Sequence, residues 1–284
     1  MANIGFIGAG KVGTTLAKRF VYQGLSLTGF FSRSFASAVF ASKVTLSKAY
    51  EDLKDLVEDS DILFLTVPDD CLKETVEKLT HLPISGKKLV HTSGVYSVDD
   101  IFPNREDFQV QAVGLHPLFP ISDKEKVWET IHKATFTLEG DKGLVALFSE
   151  LLDSWHFTYK VISPSLKSKY HAAASISSNL YCALVDESLS LMQQCGFDEK
   201  EALVALKPLM MANLENILEK GPKLALTGPI ERNDICTVKR HLQAMKTDFE
   251  RHYYAQSALA VVSLAQKKHP QNNYSLMQQI LKDI

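Results

Sequence analysis

Residues 3–13 read NIGFIGAGKVG, an apolar run that passes directly into a glycine pattern. The pattern G-x-G-x-x-G follows a predicted strand and opens a predicted amphipathic helix, which is the context that makes it informative. Gly8 permits a tight turn, Gly10 lets the backbone approach a pyrophosphate, and Gly13 lets helix and strand pack closely. Because a helix N-terminus attracts anions, the pattern predicts a dinucleotide-binding loop, with a ligand-free glycine turn as the alternative. The predicted contacts are Gly8, Gly10, Lys11, Val12 and Gly13.

The end of the second predicted strand indicates which dinucleotide binds. A site for NAD usually places an Asp or Glu there to bind the ribose 2′-hydroxyl. This chain instead has Ser32, Arg33 and Ser34, and its first acidic residue is Glu51. An arginine between two hydroxyls offers charge-assisted hydrogen bonds to a 2′-phosphate, which a carboxylate would repel. The sequence therefore favours NADP(H), with a solvated Arg33 as the alternative and the use of NADH left open.

Strand and helix patterns alternate from the glycine loop to about residue 162, which predicts a doubly wound parallel sheet of the α/β class, a Rossmann fold. Strands are expected over residues 3–7, 27–32, 44–46, 61–67, 87–92, 108–115, 134–139 and 157–162. Helices are expected over residues 11–23, 34–42, 48–59, 69–80 and 141–155.

The chain after residue 160 shows helical patterns only. Ser163-Pro164 is typical of a helix start, and Lys220-Gly221-Pro222 is typical of a break. We therefore predict a dinucleotide-binding Rossmann domain over 1–160 and an all-α domain for substrate binding and dimerisation over 161–284. The expected helices run over 163–194, 198–219, 234–268 and 273–283.

Composition excludes several classes of protein. A net charge of −2 over 284 residues provides no field for binding nucleic acid or an anionic membrane surface. The N-terminus lacks a signal-peptide pattern, and no apolar run is long enough for a membrane span. The four cysteines form no C-x-x-C pair or metal-ligand cluster, so we expect reduced core thiols, no metal and a cytoplasmic location.

Polar residues at the carboxyl ends of the strands are candidates for the site, because ligands of such sheets bind at that edge. Val67 and Pro68 are expected along the ribose and nicotinamide. His91 and Ser93 follow on the next strand, Ser93 as a candidate substrate contact and His91 with a satisfied buried histidine as the alternative. His116 is expected in a loop stiffened by Pro117 and a second proline, where it could meet the substrate or simply cap the loop.

Reduction of a carbonyl or imine needs a proton donor beside the cofactor. Lys167 and His171 share one face of the predicted long helix, and Ser178 continues that line. A lysine partly desolvated beside a histidine would have a lowered pKa, which suits a general acid. A solvated first-turn lysine is the alternative. Asn179 is a further candidate contact, and Arg232 could clamp a carboxylate or form an ordinary surface ion pair.

Several stretches together resemble one family. They are the glycine loop, Gly114-Leu115-His116-Pro117-Leu118, Lys167 with Tyr170-His171-Ala172-Ala173-Ala174 and Ser178-Asn179, and Thr227-Gly228-Pro229-Ile230 with Arg232 and Asp234. The chain is similar to Rossmann-like oxidoreductases with an all-helical C-terminal domain, the superfamily of 6-phosphogluconate dehydrogenase, pyrroline-5-carboxylate reductase and the alternative-type ketopantoate reductases. The superfamily pairs a lysine with an asparagine four residues later, whereas this chain has His171 at that position.

The resemblance implies a homodimer that reduces a small 2-oxo acid with NADPH, with ketopantoate, reduced to pantoate, as the leading substrate. Lys167 would be the general acid, His116 and His171 would orient the carbonyl, and Asn179 or Arg232 would bind the carboxylate. Two alternatives are a cyclic imine reductase of the pyrroline-5-carboxylate type and an NADP(H)-sensing protein without turnover. The sequence leaves open whether Lys167 or His116 donates the proton.

Overall fold

The computed structural model describes residues 2–284, and its first part is built on one eight-stranded sheet. The strands are β1 (Ile4–Ile7), β2 (Leu27–Phe31), β3 (Lys48–Tyr50), β4 (Ile62–Leu65), β5 (Lys88–His91), β6 (Gln111–Leu118), β7 (Thr135–Gly140) and β8 (Thr158–Val161). Their order in the sheet is β3-β2-β1-β4-β5-β6-β7-β8. All neighbouring strands are parallel except β6 and β7, which are antiparallel. The predicted doubly wound, mainly parallel α/β sheet is confirmed, and the antiparallel β6–β7 pairing is a feature that the strand–helix alternation did not predict.

Helices cover both faces of this sheet, as expected for a mainly parallel arrangement. The helices of this part of the chain are α1 (Lys11–Tyr22), α2 (Phe35–Thr45), α3 (Leu53–Asp59), α4 (Leu72–Thr80), α5 (Val98–Ile101), α6 (Val127–Thr130), α7 (Lys142–Ser154) and α8 (Lys167–Ser177), of which α8 buries only Lys167. The core is therefore split into two apolar layers. Phe6 stacks on Phe64 in one layer, with ring centroids 4.9 Å apart, while Leu63 and Leu65 of β4 belong to the other.

Two local predictions are wrong for reasons of packing. The expected strand over 44–46 is the end of α2, because the helix buries Ala38, Ala41 and Thr45 on one face and stops only at Leu46, whose backbone is left-handed (φ 53°). The expected helix over 48–59 accordingly divides into β3 and α3.

Strand β6 continues to Leu118 instead of ending at residue 115, because it pairs with β7. His116 lies opposite Thr137 in this pairing. The residue predicted to lie in a loop stiffened by prolines is therefore held by a strand.

The chain after Ser178 forms five helices: α9 (Asn179–Gln194), α10 (Glu199–Ala225), α11 (Ile235–Ala244), α12 (Asp248–Lys268) and α13 (Ser275–Lys282). The helix predicted over 163–194 is interrupted at Ser178. The helix predicted over 234–268 is also divided, because Thr247 and Glu250 form a capping box that starts α12. Gly221 has a positive φ of 76° and breaks α10 at the predicted position.

The described chain divides into two compact units, one up to Leu180 and one from Tyr181 to Ile284. The second unit has its own core, in which Val238, Val262 and Met277 are fully buried. The first helix after the last strand, α8, lies within the first unit. The division between the two compact units therefore follows Leu180 and lies later in the chain than the domain boundary predicted near residue 160.

The cysteines do not form part of the core. Cys71 is half-buried, and the other three are exposed, so the prediction of core thiols is wrong; all four are free. None of the described helices combines the length and the apolar character needed to cross a membrane.

Candidate active site

The glycine loop is packed tightly on its inner side and open on its outer side. Gly8 has a φ of 105°, and a Cβ there would lie 2.6 Å from the Thr66 carbonyl oxygen. A Cβ on Gly13 would overlap Thr66 Oγ1, which donates a 2.7 Å hydrogen bond to the Gly8 carbonyl. On Gly10, by contrast, the nearest atom to a Cβ is 3.9 Å away. Gly8 and Gly13 are therefore required by packing, and the backbone at Gly10 is free to meet a ligand.

A cleft of about 850 Å³ opens beside this loop, between the carboxyl ends of β1, β2 and β4. Lys11, Val12 and Gly13 lie in the first turn of α1, outside the lining of the cleft. The predicted cofactor residues that line it are Gly8, Gly10, Ser32, Arg33, Ser34, Val67 and Pro68.

The charges around the cleft favour an anion at its glycine-loop end. The first turn of α1 contains no acidic residue, and its N-cap, Gly10, supplies no side chain to the free N–H groups. Arg33 is exposed at the end of β2, and the Ser34 side chain makes no capping hydrogen bond to α2. Glu51 and Asp52 also line the cleft, and the prediction of an NADP(H) site did not take their carboxylates into account.

Lys124 is a cleft residue that the sequence argument missed. Its Nζ atom donates a 2.9 Å hydrogen bond to the Ala9 carbonyl, so a second cation lies at the glycine loop. The signal for this contact is absent from the local sequence, because Lys124 and Ala9 are 115 residues apart.

The predicted proton donor, Lys167, belongs to a buried cluster rather than to the lining of the cleft. Its side chain is 2% exposed, and Nζ donates to the Ser93 carbonyl at 2.8 Å and to Glu139 Oε1 at 3.2 Å. His91 Nε2 contacts the same carboxylate oxygen at 3.2 Å, and the Val98 N–H donates to Oε2. Three side chains from β5, β7 and α8 thus form one hydrogen-bonded cluster, which we call the buried charge cluster: His91, Glu139 and Lys167.

Gly114 makes room for this cluster. A Cβ on Gly114 would overlap Glu139 Oε1 and would lie 2.8 Å from His91 Nε2 and 2.9 Å from Lys167 Nζ. A glycine is therefore required at position 114, because any side chain there would collide with the buried charge cluster, and the local sequence does not reveal this.

Burial controls the protonation of the cluster. It lowers the pKa of Lys167, and the neighbouring carboxylate of Glu139 offsets part of that effect. Burial alone would raise the pKa of Glu139, but the hydrogen bond from His91 and the charge of Lys167 bring it below its usual value. Burial also lowers the pKa of His91. These effects favour an ionised Glu139 and a neutral His91, while burial and the Glu139 carboxylate act on the pKa of Lys167 in opposite directions.

His116 and His171 meet at Gly94, just beyond the carboxyl end of β5. A Cβ on Gly94 would lie 2.6 Å from the His171 ring and 2.8 Å from His116 Nε2. His116 Nδ1 is 2.8 Å from the Tyr170 hydroxyl. Burial, followed by the charge of Lys167, lowers the pKa of His116 to about 3, and burial raises the pKa of Tyr170. Both groups are therefore neutral at neutral pH.

The other predicted site residues are Ser178, Asn179, Arg232 and Ser93. Ser178 and Asn179 are exposed, and the Ser178 hydroxyl donates to Ala174 O and contacts Asn179 Oδ1. Arg232 is exposed in the second unit. Ser93 contributes its carbonyl to Lys167, while its hydroxyl accepts from the backbone N–H groups of Val95 and Tyr96.

Comparison with known families supports the two-part architecture. Residues 1–117 match the family described as a Rossmann-like domain, and residues 134–260 match a domain of unknown function, DUF2520. The predicted order, a Rossmann-like domain followed by a helical region, is confirmed. No curated protein sequence matches the chain.

Solved structures share the fold over almost the whole chain. A protein from Bacteroides fragilis, provisionally described as an NADP oxidoreductase, is 20% identical with a TM-score of 0.72, covering 92% of this chain and 98% of its own. Protein TM1727 from Thermotoga maritima is 27% identical with a TM-score of 0.67, covering 93% and 97%. A reductive aminase from Aspergillus terreus, in complex with NADPH and ethyl-5-oxohexanoate, is 14% identical with a TM-score of 0.61, covering 100% and 93%. At these identities the likeness establishes the fold.

Proposed function

We propose that this chain is an NADP(H)-dependent reductase of a small carbonyl or imine compound. The observation that carries the proposal is the cleft beside the glycine loop, in which Arg33 follows β2 where an NAD site would have a carboxylate. The Aspergillus terreus reductive aminase of the same fold binds NADPH, which supports this choice of cofactor.

The residues of the cleft fit such a cofactor. The open backbone at Gly10 and the free N–H groups of α1 suit a pyrophosphate. Arg33, between Ser32 and Ser34, suits a 2′-phosphate. Val67 and Pro68 offer apolar contacts to a ribose or nicotinamide ring. Bound NADPH would supply the hydride.

The protein would supply a proton donor and groups that orient the substrate. Lys167 has a lowered pKa, as a general acid requires, and we propose it as the donor. His116 is neutral, and with the Tyr170 hydroxyl donating to Nδ1 its proton would be on Nε2, from which it can donate to a carbonyl oxygen. His171, which lies beside His116 at Gly94, would help to orient the same carbonyl group. Ser93, Ser178, Asn179 and Arg232 remain proposed substrate contacts.

Ketopantoate, reduced to pantoate, is the leading substrate, and a cyclic imine of the pyrroline-5-carboxylate type is the alternative. The Aspergillus terreus reductive aminase supports an imine substrate as well as it supports an oxo compound, because it was solved with a keto ester and reductive amination proceeds through an imine. The need for a general acid separates the two. A cyclic iminium is already protonated, so Lys167→Ala should be mild for an imine and severe, roughly 10²- to 10⁴-fold in kcat, for a ketone.

The first test is the loss of NADPH absorbance with the purified chain and ketopantoate, with NADH in parallel. Turnover with NADPH and little with NADH is the expected result. Tight NADPH binding without ketopantoate turnover would remove that substrate and call for a panel of oxo acids and cyclic imines. Binding with no turnover on any of these would favour the NADP(H)-sensing alternative over an enzyme.

The helical region, residues 161–284, is proposed to bind substrate and to form a homodimer. Among its described residues α9 has no buried one, and α10 buries only Ala202 and Ala225. Exposed apolar patches of this kind mark association surfaces. Sedimentation of the purified chain should give twice the monomer mass, and a concentration-independent monomer would contradict this. The exposed large apolar side chains of α9 and α10 are Leu180, Tyr181, Leu184, Leu203, Val204, Leu209, Met211, Leu214, Ile217, Leu218 and Leu224.

A further inference from the structure

Glu139 is a buried carboxylate with no assigned role, and its contacts connect it to the proposed proton donor. Its side chain lies in β7 and is 2% exposed. One oxygen, Oε1, accepts from both Lys167 and His91, and the other accepts from the Val98 N–H. Every oxygen of the carboxylate is thus bonded, which is the condition under which a buried charge is tolerated.

The carboxylate fixes the Lys167 ammonium at one place. The two acceptors of Lys167 Nζ are the Glu139 carboxylate at 3.2 Å and the Ser93 carbonyl at 2.8 Å. The Ser93 carbonyl comes from the loop that leads to Gly94, where His116 and His171 meet. Glu139 and Lys167 lie in the DUF2520 match, whereas His91 and Ser93 lie in the Rossmann-like match. The Lys167–Ser93 and Glu139–His91 contacts therefore join the two matched segments at the carboxyl end of β5.

We propose that Glu139 is a positioning residue for the reaction: its carboxylate holds the side-chain nitrogen of Lys167 beside the Ser93–Gly94 loop. This inference rests on the proposed function, in which Lys167 donates the proton. Glu139 itself lies outside the lining of the cofactor cleft, so it acts through Lys167 and leaves cofactor binding unchanged.

The charges that face Lys167 decide the sign of the expected pH effect. They are the carboxylates of Glu139 on β7, Asp100 on α5 and Asp69 after β4, together with the neutral imidazoles of His91 and His116. Only Glu139 is bonded to Nζ. Removing its charge leaves the desolvation of Lys167 less compensated, so the pKa of Lys167 falls further. If Lys167 must be protonated for turnover, the alkaline limb of the pH profile moves to lower pH.

The test compares Glu139→Gln, which keeps the shape and removes the charge, with the wild type and with Glu150→Gln at an exposed position. NMR of the folded chain, made with lysine that carries ¹³C at Cε, follows the protonation of Lys167 over a pH series without any turnover, and the loss of one signal in Lys167→Met assigns that signal to Lys167. Lys169, exposed two residues away, is the internal reference. We expect the Lys167 titration curve to move to lower pH in Glu139→Gln and to stay in place in Glu150→Gln.

Turnover gives the second readout. Glu139→Gln should lower kcat by roughly 10- to 100-fold, the usual cost of removing a group that orients a reacting one, with the Kd for NADPH unchanged. The alkaline limb of its pH profile should move in the same direction as the titration curve of Lys167. In the Lys167→Met background the substitution should have no further effect on kcat, because Glu139 acts only through Lys167.

Each outcome has a distinct meaning. An unmoved titration curve, or losses in kcat that add in the double variant, would overturn the positioning role while leaving the reductase intact. A wild type that binds NADPH but turns over no oxo acid or imine would overturn the proposed function, and the positioning role with it. If Glu139→Gln does not fold, Glu139→Asp keeps the charge, and it should retain the wild-type pH profile at a lower kcat; a shifted profile in that variant would overturn the proposal.

Discussion

Replacing Gly114 with alanine tests the packing of the buried charge cluster with a single methyl group. Gly114 lies in β6 directly opposite Glu139 of β7. The new Cβ would overlap Glu139 Oε1 and lie 2.8 Å from His91 Nε2 and 2.9 Å from Lys167 Nζ. These three side chains are no more than 2% exposed, so none can move aside into solvent. The methyl group must therefore displace at least one member of a bonded cluster.

The expected cost follows from what the displacement breaks. Overpacking a well-filled interior costs about 1–3 kcal/mol when the neighbours shift but keep their bonds. Separating Lys167 from Glu139 would leave buried charges unpaired, which costs about 3–5 kcal/mol. We therefore expect Gly114→Ala to lower the free energy of unfolding by about 1–5 kcal/mol, with the upper end marking a broken ion pair.

Urea unfolding followed by circular dichroism measures this change, and Gly143→Ala is the matched control. A Cβ on Gly143, in α7, would meet its nearest neighbour, Gln111 Nε2, at an ordinary 3.7 Å. Alanine also favours a helix over glycine by up to about 1 kcal/mol. The control should thus be as stable as the wild type or more so. A Gly114→Ala chain that unfolds at the wild-type urea concentration would refute the reasoning about the cluster.

Three other predictions concern the cleft and the cluster. Arg33→Ser should raise the Kd for NADPH by roughly tenfold or more, the value of a charge-assisted hydrogen bond, with little change for NADH; equal losses in fluorescence titrations would contradict the 2′-phosphate role. Lys124→Met should raise the Kd for both NADPH and NADH, and the increase should be smaller at high salt, whereas Lys133→Met, at an exposed site, should leave both Kd values unchanged. The fold lowers the pKa of Glu139 below its ordinary 4.5, so the stability it contributes is present above that pH and is lost as the pH falls toward the lowered pKa. Glu139→Gln cannot lose this contribution, so its free energy of unfolding should fall less steeply with decreasing pH than that of the wild type. Parallel curves of the free energy of unfolding against pH would contradict this expectation.

The sequence predicts the glycine turn between β1 and α1 well because the determinants of that turn are local. Gly8, Gly10 and Gly13 lie within one turn between a strand and a helix, and Arg33 follows the next strand directly. The errors in the first half come from pairing that no local pattern records. β6 extends to Leu118 because β7, predicted to be parallel, pairs with it in the opposite direction.

The proposed reaction site is harder to predict because its contacts span large separations in sequence. Helical spacing indicated Lys167 beside His171, but the structure bonds Lys167 to Ser93 and Glu139, 74 and 28 residues away. His171 contacts Gly94 instead. Glu139, at the end of the strand predicted over residues 134–139, was the available signal. A charged residue on a buried strand needs a partner.

Two effects at Lys167 lower the stability of the fold when the lysine is charged, and together they suggest why a lysine occupies this position. It is buried, and it is the first residue of α8, where the helix dipole disfavours a cation. Glu139 offsets these costs, but a buried ion pair is a weak source of stability, since an apolar pair of similar volume is often as stable or more so. Stability alone would therefore favour apolar residues at both positions. Both costs also push the pKa of Lys167 downward, toward the range in which an amine can give up a proton near neutral pH. The arrangement is thus poor for stability and well suited to proton transfer, which is why we assign Lys167 to the reaction and Glu139 to its support.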